Sequence, residues 1–225
     1  MEMGTPSILT SKQKIFLTLF GSKHTLSSRF YLSGGTALAE FYIPYRLSED
    51  LDFFSEKEIE TSELITFLRS IKEEIHYKNF DVSTSFNRNL IFLEFDDSDT
   101  LKTEFTYFPF TRIDKPIEAY GLKIDSIVDI AVNKLFTIYQ SPRSRDFTDL
   151  YKIISKYKFE LSDLIKKARL KFDVNIDFIQ LGSQFMQASE LKDYPKLLVD
   201  LDESSWQDFF ISEAKKFKKE IISDK

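Results

Sequence analysis

The stretch from Phe30 to Phe54 constrains this chain most. Apolar Phe30-Tyr31-Leu32 runs into Ser33-Gly34-Gly35-Thr36, and Asp50-Leu51-Asp52-Phe53-Phe54 follows. The pattern predicts a strand over Phe30 to Leu32, a double-glycine turn, a helix from Thr36 to about Ile43, a loop, and a second strand carrying Asp50 and Asp52. A glycine turn that opens a helix offers backbone N–H groups and the positive end of the helix dipole to an anion. Taken alone, Gly34-Gly35 reads first as a tight turn that needs positive φ. The hydroxyls of Ser33 and Thr36 and the helix behind them favour the anion. On a strand Asp50 and Asp52 share one face, because side chains alternate with period two. They sit among Leu51, Phe53 and Phe54, where a carboxylate is costly unless solvated at a strand end or neutralised. Two like charges that close repel unless a cation lies between them. Magnesium suits the position: it takes oxygen ligands and binds one or two carboxylates together with substrate phosphates. The stretch outlines a site for a metal-bound nucleotide.

Composition removes several alternatives. The 225 residues include no cysteine and two histidines, His24 and His76, which excludes disulfides, thiolate catalysis and Cys- or His-based metal sites. The net charge of -5 argues against a protein that coats nucleic acid, though one local basic patch can still grip RNA. No apolar run approaches the ~20 residues of a membrane span. Met1-Glu2-Met3-Gly4 lacks the basic and apolar regions of a signal peptide, so a cytoplasmic protein without a membrane partner is expected. The 23 Phe and 10 Tyr lie in mixed apolar and charged runs, as core residues do.

Helical spacing of Ile15, Phe16, Leu19 and Phe20 predicts a helix over Ser11 to Phe20, and Leu64, Phe67, Leu68 and Ile71 predict one over Thr61 to Tyr77. Alternation predicts strands over Asp81 to Asn87, Asn89 to Phe95 and Leu101 to Phe108, the first two joined by a hairpin at Asn87-Arg88-Asn89. Gly121 to Asp125 reads as a short edge strand. From Ser126 onward the period is helical: Ser126 to Tyr139, Asp146 to Lys156, Leu161 to Lys171, Ile176 to Ala188 and Ser204 to Ile222. The expected architecture is α+β: a mixed sheet flanked by helices over residues 1–125, then a helical bundle over 126–225.

Other residues can join the chemistry. Arg46 either holds phosphate or pairs with Glu49 or Asp50, and Ser48 can bond the loop backbone. Glu104 shares a strand face with Lys102, and it or Glu94 can be a third carboxylate, able to take a proton from an attacking hydroxyl. An ordinary cross-strand ion pair fits Glu104 equally well. Lys134 falls inside the apolar stripe of Ile127, Ile130, Ala131, Leu135 and Ile138, so it either snorkels or meets an anion such as a triphosphate. Asp146 and Asp149 face inward with Leu150, Ile153 and Ile154; Asp146 can be an N-cap, whereas Asp149 lies one turn further in. Arg143 and Arg145 can reach phosphate or these acids. The run Lys215-Lys216-Phe217-Lys218-Lys219 reads as the wet face of a helix, and Trp206 and Phe209 as core anchors.

Tyr31-Leu32-Ser33-Gly34-Gly35-Thr36-Ala37-Leu38-Ala39 followed by Arg46-Leu47-Ser48-Glu49-Asp50-Leu51-Asp52-Phe53-Phe54 resembles the AbiEii/AbiGii toxin family of nucleotidyltransferases. Asp129-Ile130-Ala131-Val132-Asn133-Lys134-Leu135 and Arg145-Asp146-Phe147-Thr148-Asp149-Leu150-Tyr151 are similar to its downstream motifs. The resemblance spans residues 30 to 155. It implies a nucleotidyltransferase fold with a helical bundle behind it, magnesium on Asp50 and Asp52, nucleotide contacts from Gly35, Thr36 and Lys134, and a role for the acids after Arg145. It also implies a toxin with a cognate antitoxin, and transfer RNA as one acceptor. The chain departs from the wider superfamily in carrying Thr36 where serine is common, and its third carboxylate is a Glu.

The expected reaction is transfer of a nucleoside monophosphate from a nucleoside triphosphate to an acceptor hydroxyl. Gly35 and Thr36 would hold the β and γ phosphates. A small-molecule or protein acceptor is the alternative that the acidic charge favours. A catalytically silent nucleotide-binding module is the third reading.

Overall fold

A computed structural model describes the backbone of residues 7–223 and the side chains of residues 7–217. The stretch Met1 to Gly4 and the side chains of Lys218 and Lys219 therefore lie outside the described residues. The chain forms two compact units, Met1–Pro44 with Ser48–Ser126, and Tyr45–Leu47 with Ile127–Lys225.

The first unit contains α1 (Ser11–Ser22), α2 (His24–Ser27), β1 (Tyr31–Ser33), α3 (Gly34–Phe41), β2 (Leu51–Ser55) and α4 (Thr61–Ile75). After these come β3 (Asn79–Ser85), β4 (Arg88–Glu94), β5 (Thr100–Tyr107), β6 (Ile117–Ala119) and β7 (Leu122–Ile124). The strands make one seven-stranded sheet in the order β3-β4-β5-β2-β1-β7-β6. It is mixed: β1–β7 and β2–β5 are parallel and the other pairs antiparallel.

Local chemistry sets the element ends. The Thr10 hydroxyl accepts from the Gln13 N–H, and the Gln13 side chain accepts from the Thr10 N–H, so α1 begins on a capping box. Helix α4 stops where His76 turns left-handed at φ 60°. Alternation gives β2 and β5 two distinct faces. Leu51 and Phe53 point to one, with Thr103 and Phe105 of β5 beside them, and all four are buried. Rings from the helices cover that face: Phe20 of α1 lies 4.9 Å from Phe53 and 5.3 Å from Phe105, and Phe67 of α4 lies 5.1 Å from Phe20. Each such buried ring contributes roughly 1.5–3 kcal/mol. The opposite face is left to Asp52, Lys102 and Glu104.

The second unit contains α5 (Ile127–Gln140), α6 (Ser144–Tyr157), α7 (Leu161–Phe172), α8 (Phe178–Met186), a 3-10 turn (Gln187–Ser189) and α9 (Glu203–Ser223). Phe147, Phe185, Trp206 and Phe210 form its aromatic core, with Phe210 4.8 Å from Phe147 and 5.0 Å from Phe185. Phe209 is half-buried, edge-on to Tyr151 at 5.6 Å. Tyr45–Leu47 joins this unit through a short antiparallel pairing: Leu47 N–H donates to the Lys196 carbonyl at 2.9 Å and Leu198 N–H to the Tyr45 carbonyl at 2.8 Å.

Several expectations need correction. The strand at Leu122–Ile124 is not an edge; it pairs in parallel with β1 and leaves β6 outermost. Helix α8 starts two residues later than its periodicity suggests, because the Asp177 carboxylate accepts from Ile179 N–H at 2.7 Å and Gln180 N–H at 3.0 Å and caps it there. Helix α6 starts two residues earlier than expected, so Asp146 lies in its first turn and is not its N-cap. Lys215 and Lys216 are exposed, as a wet helix face requires. Among the described residues no helix is long and apolar enough to cross a membrane.

Candidate active site

The register of the sheet assembles the site. Ser33 of β1 pairs with Asp52 of β2, Asp52 pairs with Glu104 of β5, and Glu104 pairs with Leu90 of β4. These four positions form one transverse row, and the period-two pleat puts their side chains on one face, opposite to that of Leu51 and Phe53. Glu94 lies four residues along β4 from that row and is exposed. Glu104, and not Glu94, is therefore the carboxylate beside Asp52.

The glycine turn closes directly on Asp52. Gly34 has φ 73°, in the left-handed region, and a Cβ built on it would lie 2.5 Å from Asp52 Oδ2. Ser33, the N-cap of α3, makes no side-chain bond to the first helical turn. Its hydroxyl instead donates to Asp125 Oδ2 at 2.7 Å, at the end of the neighbouring β7. The first-turn amides of α3, which no cap side chain claims, thus open beside the Asp52 carboxylate.

Asp50 sits just ahead of β2. Its backbone carbonyl accepts a hydrogen bond from the Thr36 hydroxyl, and Thr36 is wholly buried. That hydroxyl, expected on a phosphate, ties the helix to the acidic loop. The Asp50 carboxylate accepts from Lys102 Nζ at 2.5 Å. Glu104 accepts from Arg88 Nε and Nη2, both at 2.6 Å, and from the Thr106 hydroxyl at 2.8 Å. Burial pushes the Glu104 carboxyl up, but the bonds from Arg88 and Thr106 outweigh it and hold the group below the usual carboxylate range. Arg88 also feels the Asp52 charge.

Among the described residues no three acidic or histidine side chains are gathered tightly enough to form a ready metal cage. The donor set still fits magnesium. Asp52 and Glu104 are hard oxygen donors on adjacent strands, and magnesium needs only one or two carboxylates when phosphates supply the rest. Lys102 pairs with Asp50 and Arg88 with Glu104.

Most of the remaining expected site residues form a second cluster, within the helical unit. Lys134 Nζ lies 2.7 Å from Asp146 Oδ1 and 2.7 Å from Asp149 Oδ2. Arg46 grips Asp149 with both arms of its fork, Nε at 2.7 Å and Nη2 at 2.8 Å. The Tyr45 hydroxyl donates to Asp149 Oδ1 at 2.6 Å, and Arg143 Nε donates to Asp146 Oδ2 at 2.7 Å. Asp146 and Asp149 are wholly buried, and Arg46 and Lys134 nearly so. Burial alone would raise Asp149, yet Lys134 and Arg46 hold it far below the usual range; burial would lower Lys134, yet Asp146 and Asp149 hold it raised. Arg46 thus pairs with Asp149, and not with Glu49 or Asp50. Lys134 has its charge met by two aspartates. Ser48 is half-buried and offers its carbonyl to Gln13 Nε2 at 3.3 Å. Gly35 is buried in the first turn of α3.

Three polar residues of the first site carried little sequence signal. The shared face of Lys102 and Glu104 follows from alternation, but the Asp50 partner does not. Arg88 was expected in a turn. Asp125 stood at the end of a short strand, with nothing to mark its bond to Ser33.

Gly34→Ala tests the closeness of the turn to Asp52. A left-handed non-glycine residue costs ~1–2 kcal/mol, and the new methyl must displace the Asp52 carboxylate. The variant is expected to fold, with a melting temperature a few degrees lower, and to lose at least about tenfold in turnover. Calorimetry beside a steady-state assay separates the two effects.

A family model described as "Nucleotidyl transferase AbiEii toxin, Type IV TA system" matches residues 17–214. An uncharacterised protein of Aquifex aeolicus, aq_aa25, is 31% identical over 154 residues, covering 66% of this chain and 68% of the relative. Among solved structures, a candidate nucleotidyltransferase from H. pylori superposes with a TM-score of 0.61 at 21% identity, covering 96% of this chain and 99% of the other. JHP933 from Helicobacter pylori gives a TM-score of 0.56 at 20% identity, over 96% of this chain and 97% of the other. These two likenesses establish the fold. With the family match extending across both units, the chain belongs to the AbiEii nucleotidyltransferase toxin family.

Proposed function

We propose that the protein transfers a nucleoside monophosphate from a nucleoside triphosphate to an acceptor hydroxyl, with magnesium as cofactor. The observation that carries this reading is the Asp52 carboxylate seated on Gly34 with Glu104 directly across the sheet. The first-turn amides of α3 at Gly35 and Thr36 bind the triphosphate as an anion. Asp50 and Asp52 would hold the metal, with Glu104 as the third donor. When bound, magnesium neutralises charge on the phosphates and aligns the attacking and leaving oxygens. The acceptor oxygen forms a bond to the α-phosphorus, the bond to the bridging oxygen breaks, and pyrophosphate leaves. Glu104, already ionised, takes the acceptor's proton. Lys102 and Arg88 keep the acids from repelling one another before substrate arrives.

We read the first unit as the catalytic domain and the helical unit as its support. Lys134, Arg46, Asp146 and Asp149 act in this account by fixing the helical unit internally. The family supports a toxin role with an antitoxin partner. Transfer RNA is the acceptor that the motif resemblance favours. Incubation with α-labelled nucleoside triphosphates, magnesium and total RNA is expected to label small RNA. Label on protein or on a small molecule, with RNA unlabelled, would overturn the RNA acceptor and favour the alternative to which the net charge of -5 inclines. No label on any acceptor would overturn transfer itself.

A further inference from the structure

The turn between β3 and β4 holds two residues, Phe86 and Asn87, between the paired Ser85 and Arg88. Both have positive φ, 48° and 58°. Such a turn favours asparagine or glycine at each position, and a bulky aromatic there is disfavoured. The Phe86 side chain gains nothing in return from packing, because the residue is 103% exposed. One exposed apolar residue is ordinary. An exposed ring on a disfavoured backbone, at the end of a strand that reaches the acidic row, calls for a use outside the fold.

Arg88 supplies the second observation. It is the first residue of β4, and its side chain is 56% exposed although its fork is fixed on Glu104. Two of its five N–H donors, one on Nε and one on Nη2, serve Glu104, and the rest of the guanidinium faces outward. The Gly34 turn lies at one end of the Asp52 position and Arg88 at the other. Tyr31 precedes Ser33 on β1 and pairs with Phe54, which neighbours Thr106, the partner of Arg88. Arg88 lies two residues along β4 from Leu90, roughly 7 Å from the Asp52–Glu104 row, and the Phe86 turn extends beyond it. That span suits a chain of a few nucleotides leading away from a reacting end.

We infer that the β3–β4 hairpin engages the acceptor as a single-stranded polynucleotide. Arg88 takes a phosphate near the reacting hydroxyl, and Phe86 stacks on an unpaired base further along the strand. Aromatic stacking of bases beside cationic contacts to the backbone is how proteins hold single strands. This rests on the transferase reading for its purpose, but binding tests it directly.

The probe is a short fluorescent single-stranded oligoribonucleotide, titrated with the full chain and read by anisotropy. Phe86→Ala is expected to weaken binding about tenfold, and Phe86→Trp to keep or improve it. Phe86→Asn is expected to raise the melting temperature by a few degrees while weakening the oligonucleotide as Phe86→Ala does, since the turn then carries its preferred residue. Arg88→Gln is expected to lower the salt dependence of binding by about one phosphate contact. Equal affinity of wild type and Phe86→Ala, with both folded by thermal melt, would overturn the inference. So would a wild-type chain that binds no oligonucleotide yet labels a protein acceptor, an outcome that leaves nucleotidyl transfer standing. Loss of transfer with oligonucleotide binding and its Phe86 dependence intact would count against the transferase reading and leave the hairpin assignment supported.

Discussion

Asp52→Asn is expected to lower turnover by roughly a thousandfold, about 4 kcal/mol of transition-state stabilisation, while leaving the fold intact. Asn has the shape of Asp but lacks the charge, so the carboxamide fits the space against Gly34. The loss should appear in kcat, because the carboxylate's main work is on charge that develops during reaction. The Ser33–Asp52–Glu104 row should keep its register, since backbone bonds and the buried Leu51 and Phe53 set it. A steady-state assay with a thermal melt on the same sample checks both halves. Wild-type turnover in Asp52→Asn would place the chemistry elsewhere.

Asp149→Ala is expected to be the most destabilising single change in the helical unit. It removes the partner of the Arg46 fork, one of the two anions that hold Lys134, and the acceptor of the Tyr45 hydroxyl. Two cations are then left in a buried site with Asp146 alone, which itself serves Arg143. Breaking a buried pair in this way costs about 3–5 kcal/mol, a large share of a normal folding free energy. The urea midpoint should fall accordingly. A triple change of Arg46, Lys134 and Asp149 to apolar residues of similar size should recover much of the loss, because it strands no charge.

The same cluster gives a pH dependence with a definite sign. Asp149 and Asp146 titrate lower in the folded chain than in the unfolded one. Their stabilisation is complete above the unfolded carboxylate pKa of about 3.9 and is lost as pH falls through the folded values. Melting temperature should therefore drop steeply below about pH 4, and less steeply in Asp149→Asn. Lys134 is raised, so its contribution is present throughout the acid and neutral range and is lost only in strong alkali.

What could be read ahead of the structure followed from short-range rules. Alternation put Glu104 on one face with Lys102 and Asp52 on one face with Asp50, although Asp50 lies just ahead of β2, and the Gly34 turn before a helix was plain from the residues. Helical period marked α5, α6, α7 and α9 within a few residues. Long-range partners were not legible. Nothing local tells Arg46 that its anion is Asp149, 103 residues away, or tells Tyr45–Leu47 to pair with a segment near Leu197. Lys134 on an apolar stripe signalled a buried cation, but the sequence could not choose between a substrate phosphate and two aspartates on the next helix. The buried partners of Thr36 and Ser33 were hidden for a related reason: a hydroxyl beside a glycine turn suits a phosphate, a backbone carbonyl or a carboxylate alike. Strands β6 and β7, three residues each, are too short to show a period, and their place in the sheet depends on β1.

The most direct test follows the label within the nucleotide. The chain is incubated with magnesium, total RNA and a nucleoside triphosphate labelled on either the α- or the γ-phosphate. The account predicts label on the acceptor only from the α position, with γ-label released as pyrophosphate in equal amount, and both slowed roughly a thousandfold in Asp52→Asn. Transfer of the γ-label would make the protein a phosphotransferase and contradict the assignment.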